Sequence, residues 1–258
     1  MTSFTLKVIA IVSMTIDHAG KVLGHAILLE LFPDTLTGTF TTVKICTVLG
    51  RMAFPLFAFM LAEGCSRTRS MTRYLGRLAL FAVISEPVFS AALIGFDLND
   101  TWQSIRCLVF RNVFFTLFLA ALSIFLSQKL TCKYGAKGQI VSIALTCCLA
   151  FAASYFGTDY GAMGVLLIHA LYLLRGNRVR QCAAIVIWAF ALYVAGNWTA
   201  FLYMDAAIYV FYALGASLAC IPILLYNGKR GRPMKWTFYV YYPAHLLALV
   251  LIREALGV

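Results

Sequence analysis

Nine apolar runs follow one another along this chain, and no non-apolar stretch between them exceeds about a dozen residues. They are Phe4–Leu31, Thr42–Glu63, Tyr74–Ile94, Leu108–Gln128, Gln139–Phe156, Tyr160–Leu174, Gln181–Trp198, Ala206–Tyr226 and Trp236–Ala255. Most approach the roughly 20 residues that carry a helix across a hydrocarbon layer about 30 Å thick, the sixth being short. The expectation is an all-α, polytopic integral membrane protein of about nine transmembrane helices in a single bundle, with residues 1–258 as one domain. Mean hydropathy of +0.86 with only 12% charged residues agrees. Such a chain leaves no room for a separate soluble catalytic domain, so chemistry has to come from side chains at membrane depth or from short loops.

Charge placement matters more than the net charge of +11, which in a soluble protein would point to nucleic acid. Alternate connections are basic: Arg67, Arg69 and Arg73; Lys129, Lys133 and Lys137; Arg175, Arg178 and Arg180; Lys229, Arg230, Arg232 and Lys235. The others hold Asp34, Asp97, Asp100, Asp159 and Asp205. Positive charge marks the cytoplasmic side, which predicts an N-terminus inside and, with nine spans, a C-terminus outside. Met-Thr-Ser lacks the basic region of a cleavable signal, so the first helix is expected to remain in the mature protein. No nucleic-acid partner is expected; the surroundings are membrane lipids. The eight cysteines form no CxxC pattern, so neither a metal site nor a disulfide framework is expected, and Cys65 and Cys132 are read as loop residues.

The first run buries Asp17-His18 where a membrane helix would carry only carbon. A charge near a bilayer's centre costs several kcal/mol unless paired or wetted, roughly 3 on insertion scales, so the pair is a candidate site. Eleven positions separate Lys7 from His18, three helical turns plus about 20°, so the two share a face and lie roughly 16 Å apart. That face continues through Met14, Lys21 and His25, and Asp17 can reach Lys21 one turn on. In the second run Arg51 precedes Pro55, which lacks the amide that would bond the Arg51 carbonyl, predicting a kink beside the guanidinium. Arg51 and Glu63 are about 18 Å apart along a helix and each needs another partner, Asp17 being one for Arg51. Further ionisable or polar residues at depth are Arg77, Glu86 before Pro87, Asp159-Tyr160-Gly161, His169 and Tyr241-Tyr242-Pro243-Ala244-His245.

Several ordered blocks together resemble the TraX family, named for the protein that N-acetylates the pilin of conjugative plasmids. They are Lys7 through Asp17-His18, Gly50-Arg51-Met52-Ala53-Phe54-Pro55-Leu56-Phe57-Ala58, Tyr160-Gly161 with Gly164, and Tyr242-Pro243-Ala244-His245-Leu246. The Lys-x10-His spacing is also similar to the Arg/Lys-x10-His motif of the acyltransferase-3 membrane enzymes. The resemblance implies an acetyltransferase of the bacterial cytoplasmic membrane, passing an acetyl group from cytoplasmic acetyl-CoA to an amine or hydroxyl at the membrane or its outer face. The acceptor class stays open among a protein N-terminus, a glycan and a lipid headgroup.

Acyl transfer from a thioester needs no metal; it needs a base, donors for an oxyanion and a site for the phosphates of CoA. His18, with an unperturbed pKa near 6.5, suits the base, and Asp17 would orient it or pair with Lys21 or Arg51. Arg51 is either an oxyanion or acceptor donor or a counter-charge; His245 with Tyr242 either faces the same cavity or packs. Lys7, Arg73 and Arg77 are the expected phosphate ligands, with Glu63, Glu86, Asp159 and Tyr242 as acceptor-binding residues. His25 and His169 read as structural. The rival from another class is a proton-coupled transporter using Asp17, Arg51 and Glu86.

Overall fold

A computed structural model describes residues 1–24, 36–93, 111–199 and 206–257. Every regular element among them is helical: α1 Ser3–Val22, α2 Leu36–Gly50, α3 Ala53–Arg67, α4 Met71–Leu93, α5 Val113–Tyr155, α6 Gly161–Leu173, α7 Arg178–Tyr193, α8 Ala206–Ser217, α9 Cys220–Leu224 and α10 Lys235–Leu256, with a 3-10 turn at Ala195–Asn197. The expectations at His25, Asp34, Asp97, Asp100, Cys107 and Asp205 lie outside the described residues.

Among the described residues five stretches are long and apolar enough to cross a membrane: Thr42–Arg67, Met71–Leu93, Val113–Tyr155, Arg178–Asn197 and Ala207–Leu224. The chain is a multi-pass membrane protein. Nine runs were expected; α1 is diluted by Lys7, Asp17, His18 and Lys21, α10 by Arg253 and Glu254 at its end, and α6 is a shorter apolar helix. The 43-residue α5 accounts for two runs by itself. Ser142 Oγ donates to Ser127 Oγ at 3.1 Å, whereas residues so spaced along a straight helix would be about 22 Å apart. The chain therefore doubles back, and it does so at Gly135, whose φ of 56° and ψ of −132° are open to a residue without Cβ. Lys129, Lys133 and Lys137 surround that reversal, as the basic connection of the sequence requires.

The chain divides into two compact units. The first comprises Met1–Phe57, Ala91–Gly95 and Cys182–Val258. Within it α1 packs against both α2 and α10, and α8 packs on α2. Carbonyl groups of the basic connection close the start of α1: Ser3 N donates to Lys229 O at 2.9 Å and Phe4 N to Arg230 O at 3.2 Å. Those amides lack intrahelical partners, so the loop supplies what the first turn cannot. At the far end of α2 the helix stops at Gly50, Arg51 and Met52 turn, and α3 resumes at Ala53. Pro55 then sits in the first turn of α3, where its missing N–H costs nothing, so the expected kink is a helix break.

The second unit comprises Ala58–Ser90 and Phe96–Gln181. Its two limbs of α5 pack on α6. Asn112 caps α5, accepting from Phe114 N at 3.0 Å, and Glu86 takes the next amides, Arg111 N at 2.8 Å and Asn112 N at 3.1 Å. A carboxylate at a helix N-terminus opposes the positive end of the dipole. Cys65 and Cys132 are helical rather than in loops, Cys65 buried within α3 and Cys132 exposed within α5. Gly135→Ala should destabilise the protein by about 1–3 kcal/mol, because a Cβ is strained at that φ and ψ; unfolding in detergent, followed against wild type, measures it.

Candidate active site

The polar face of α1 meets α10 in the first unit. Leu6, Ala10 and Met14 fill the buried stripe, and Asp17 and His18 continue it with only 7% and 8% of their surfaces exposed. From α10, His245 is buried to the same degree. His18 Nδ1 lies 2.7 Å from His245 Nε2, so the two imidazoles are hydrogen-bonded. The rings are within 10° of parallel with centroids 5.0 Å apart, and with their nitrogens in contact they lie side by side. Tyr242 stands edge-on to both, 6.2 Å from His18 and 5.7 Å from His245.

Tyr241, which the sequence reading gave no role, contributes three contacts. Its carbonyl is 2.9 Å from His245 Nδ1, its ring lies 9° from the His245 plane at 5.1 Å, and its hydroxyl is 2.7 Å from Thr15 Oγ1. Thr15 donates to Ile11 O at 2.8 Å, so the tyrosine hydroxyl donates to Thr15. The four-residue spacing of Tyr241 and His245, one turn of helix, was the available signal.

Asp17 points toward α2 and pairs with Lys21 at 2.6 Å across one turn, as the spacing indicates. Its Oδ1 is buried without a hydrogen-bond partner among the described residues. A Cβ at Gly50 would come within 2.1 Å of the Asp17 Cβ, so glycine is what lets the two helices touch there. Ser13 ties the same contact, donating to Leu49 O at 2.7 Å. The Arg51 guanidinium, half-buried just beyond Gly50, sits over the rings of Tyr193 at 5.2 Å and Tyr212 at 4.9 Å. Lys7, three turns before His18 on one continuous α1, is half-buried with its ammonium 5.7 Å from the Phe238 ring.

Of the residues singled out in the sequence, the first unit thus brings together His18, His245 and Tyr242, with Asp17 and Lys7 on the helix of His18 and Arg51 in the turn after α2. Glu63, Arg73, Arg77, Glu86 and Asp159 belong to the second unit. There Glu63 accepts from Arg67 at 2.7 Å and Arg178 at 3.2 Å. Both oxygens of Glu86 are engaged, Oε2 also accepting from Asn112 Nδ2 at 2.5 Å, so its present bonds are those of a helix cap. Asp159 holds the α5–α6 connection through its backbone, its amide donating to Arg111 O at 2.7 Å and its carbonyl accepting from Thr116. Arg73 is exposed, and Arg77 lies 5.5 Å from the Tyr74 ring. His169 is a third buried histidine, with Nδ1 2.9 Å from Ser123 Oγ and 3.3 Å from Thr146 Oγ1.

A family model described as "TraX protein" matches residues 3–253. A protein of Dichelobacter nodosus, "Probable fimbrial assembly protein FimC, serogroup H1", is 30% identical over 250 residues, covering 96% of this chain and 94% of that one. No solved structure matches the chain. The close approach of α1 and α2 yields a test: Gly50→Ala should cost about 1–3 kcal/mol in unfolding free energy by overpacking against Asp17. Gly76→Ala, with open space around it in α4, should be neutral or stabilising by up to about 1 kcal/mol in the same melt.

Proposed function

Because the chain belongs to the TraX family, we propose that it is a membrane acetyltransferase serving pilus or fimbrial assembly, and that His18 is its general base. The observation that carries this reading is the hydrogen-bonded pair His18–His245, two buried imidazoles joining α1 to α10. Ionisable groups are expensive in the apolar core of a membrane and are retained there for chemistry. An imidazole titrating near neutrality is the side chain best suited to take and return a proton.

In the proposed reaction an acceptor amine or hydroxyl attacks the thioester carbonyl carbon of acetyl-CoA while His18 takes its proton. The C–S bond then breaks, the acetyl group stays on the acceptor, and the CoA sulfur leaves with the proton returned from His18. Arg51 supplies the positive donor for the oxyanion or the acceptor, its guanidinium oriented by Tyr193 and Tyr212. Lys7 lies about 16 Å along α1 from His18 and would take a phosphate of CoA. Tyr242 packs against the pair and shapes the acceptor's approach, and Asp17, paired with Lys21, fixes α1 on α2.

We read residues 1–258 as one acyltransferase domain in the bacterial cytoplasmic membrane. Counting each limb of α5 and the helices α1, α6 and α10 as spans restores nine, with the N-terminus and the basic connections cytoplasmic. The acceptor is a protein N-terminus, a glycan or a lipid headgroup.

Purified protein should release CoA from acetyl-CoA, and His18→Ala should lower that turnover on the order of 10²- to 10⁴-fold. CoA at 100 times its Kd should stabilise both proteins by about 2.7 kcal/mol, read as a higher Tm. Wild type that neither binds CoA nor yields a thiol would defeat the assignment.

A further inference from the structure

The two imidazoles are joined in an order that follows from what each neighbour can do. A carbonyl oxygen accepts and cannot donate, so at Tyr241 O, 2.9 Å away, His245 Nδ1 is the donor. A neutral imidazole carries one N–H, which leaves His245 Nε2 as a bare lone pair. His18 Nδ1 is 2.7 Å from that lone pair and therefore carries the proton of the shared bond. The reverse order would set a lone pair on His245 Nδ1 against the Tyr241 carbonyl, two acceptors in contact inside a buried site. The remaining nitrogen of His18, Nε2, keeps its lone pair and has no hydrogen-bond partner among the described residues.

The surroundings hold this order rigidly. The side-by-side rings aim the His18 N–H along the His245 lone pair. Tyr241 bonds α1 through Thr15, three residues before His18, so the helix that presents the carbonyl is fastened to the helix that presents the base. Tyr242 closes the edge of both rings. Asp17, the sequence neighbour of His18, is occupied with Lys21, one of the partners its position allowed. The orienting partner is a neutral ring, which adds no charge at that depth.

We infer that His245 is a positioning residue which, anchored on the Tyr241 carbonyl, holds His18 in the Nδ1–H tautomer and makes His18 Nε2 the atom that takes the acceptor's proton. This rests on the acyltransferase reading for its chemistry, though not for its tautomer. When Nε2 is protonated, the imidazolium donates through Nδ1 to His245 and the charge is shared across the pair; when the CoA sulfur departs, Nε2 gives the same proton back.

The test is ¹⁵N NMR of the full chain in lipid nanodiscs with labelled histidine, the His18 signals identified by their loss in His18→Ala. Wild type should show a protonated Nδ1 and a bare Nε2 on His18. His245→Phe, which removes the acceptor, should shift His18 toward the Nε2–H form, while His245→Gln, whose side-chain carbonyl still accepts, should retain Nδ1–H. In acetyl-CoA turnover, His245→Phe should lose kcat on the order of 10²-fold with KM little changed, and His245→Gln should recover part of it. A wild-type His18 protonated at Nε2 overturns the inference, as does an unchanged tautomer in His245→Phe. The wild-type spectrum decides even if His245→Phe does not fold. Nδ1–H in a wild-type protein without turnover would uphold the ordered pair and sink the acyl-transfer reading beneath it.

Discussion

A polar atom out of reach of water has to find its partner inside the protein, and the contact of α1 with α10 is where this chain meets that demand most sharply. His18, Thr15, Tyr241 and His245 form one connected set, with backbone carbonyls at both ends: Ile11 O accepts from Thr15 and Tyr241 O faces His245. Removing a member strands the next one, and a stranded buried donor or acceptor costs about 1–3 kcal/mol. These bonds therefore fasten α1 to α10 in addition to their packing.

Elsewhere the same demand is met at the helix starts, by backbone or by side chains. In the first unit, carbonyls of residues 229 and 230 satisfy the opening amides of α1. In the second, Glu86 and Asn112 do this for α5, and Ser154 Oγ accepts from Ala162 N at the start of α6. Close approach then depends on small residues: Gly50 opposite Asp17 and Gly215 opposite the Val48 carbonyl let α2 lie between α1 and α8.

What was legible in the sequence was what lies along one helix. The shared face of Lys7 and His18, the reach of Asp17 to Lys21, the interruption near Arg51 and Pro55 and the reversal among Lys129, Lys133 and Lys137 all follow from period, spacing and proline chemistry. What lies between helices was not. Nothing in the run Trp236–Ala255 says that His245 faces His18 rather than lipid, and Tyr193 and Tyr212 read like any membrane tyrosine until Arg51 is seen beside them. The Tyr241 carbonyl is invisible to side-chain motifs, since every residue has one. For Asp17 the sequence left orienting His18 or pairing with Lys21 or Arg51 open; the pair with Lys21 is the one formed, since neighbours on a helix point about 100° apart and Asp17 faces α2.

The histidine pair joins positions 227 residues apart, one in the first helix and one in the last. A chain made from its N-terminus onward cannot close that bond until nearly all of it has been translated. His18 therefore waits through almost the whole of synthesis among other neighbours. A protein interrupted anywhere before residue 245 carries one half of the pair and no means of completing it, so this contact of α1 with α10 forms only once the last helix is made.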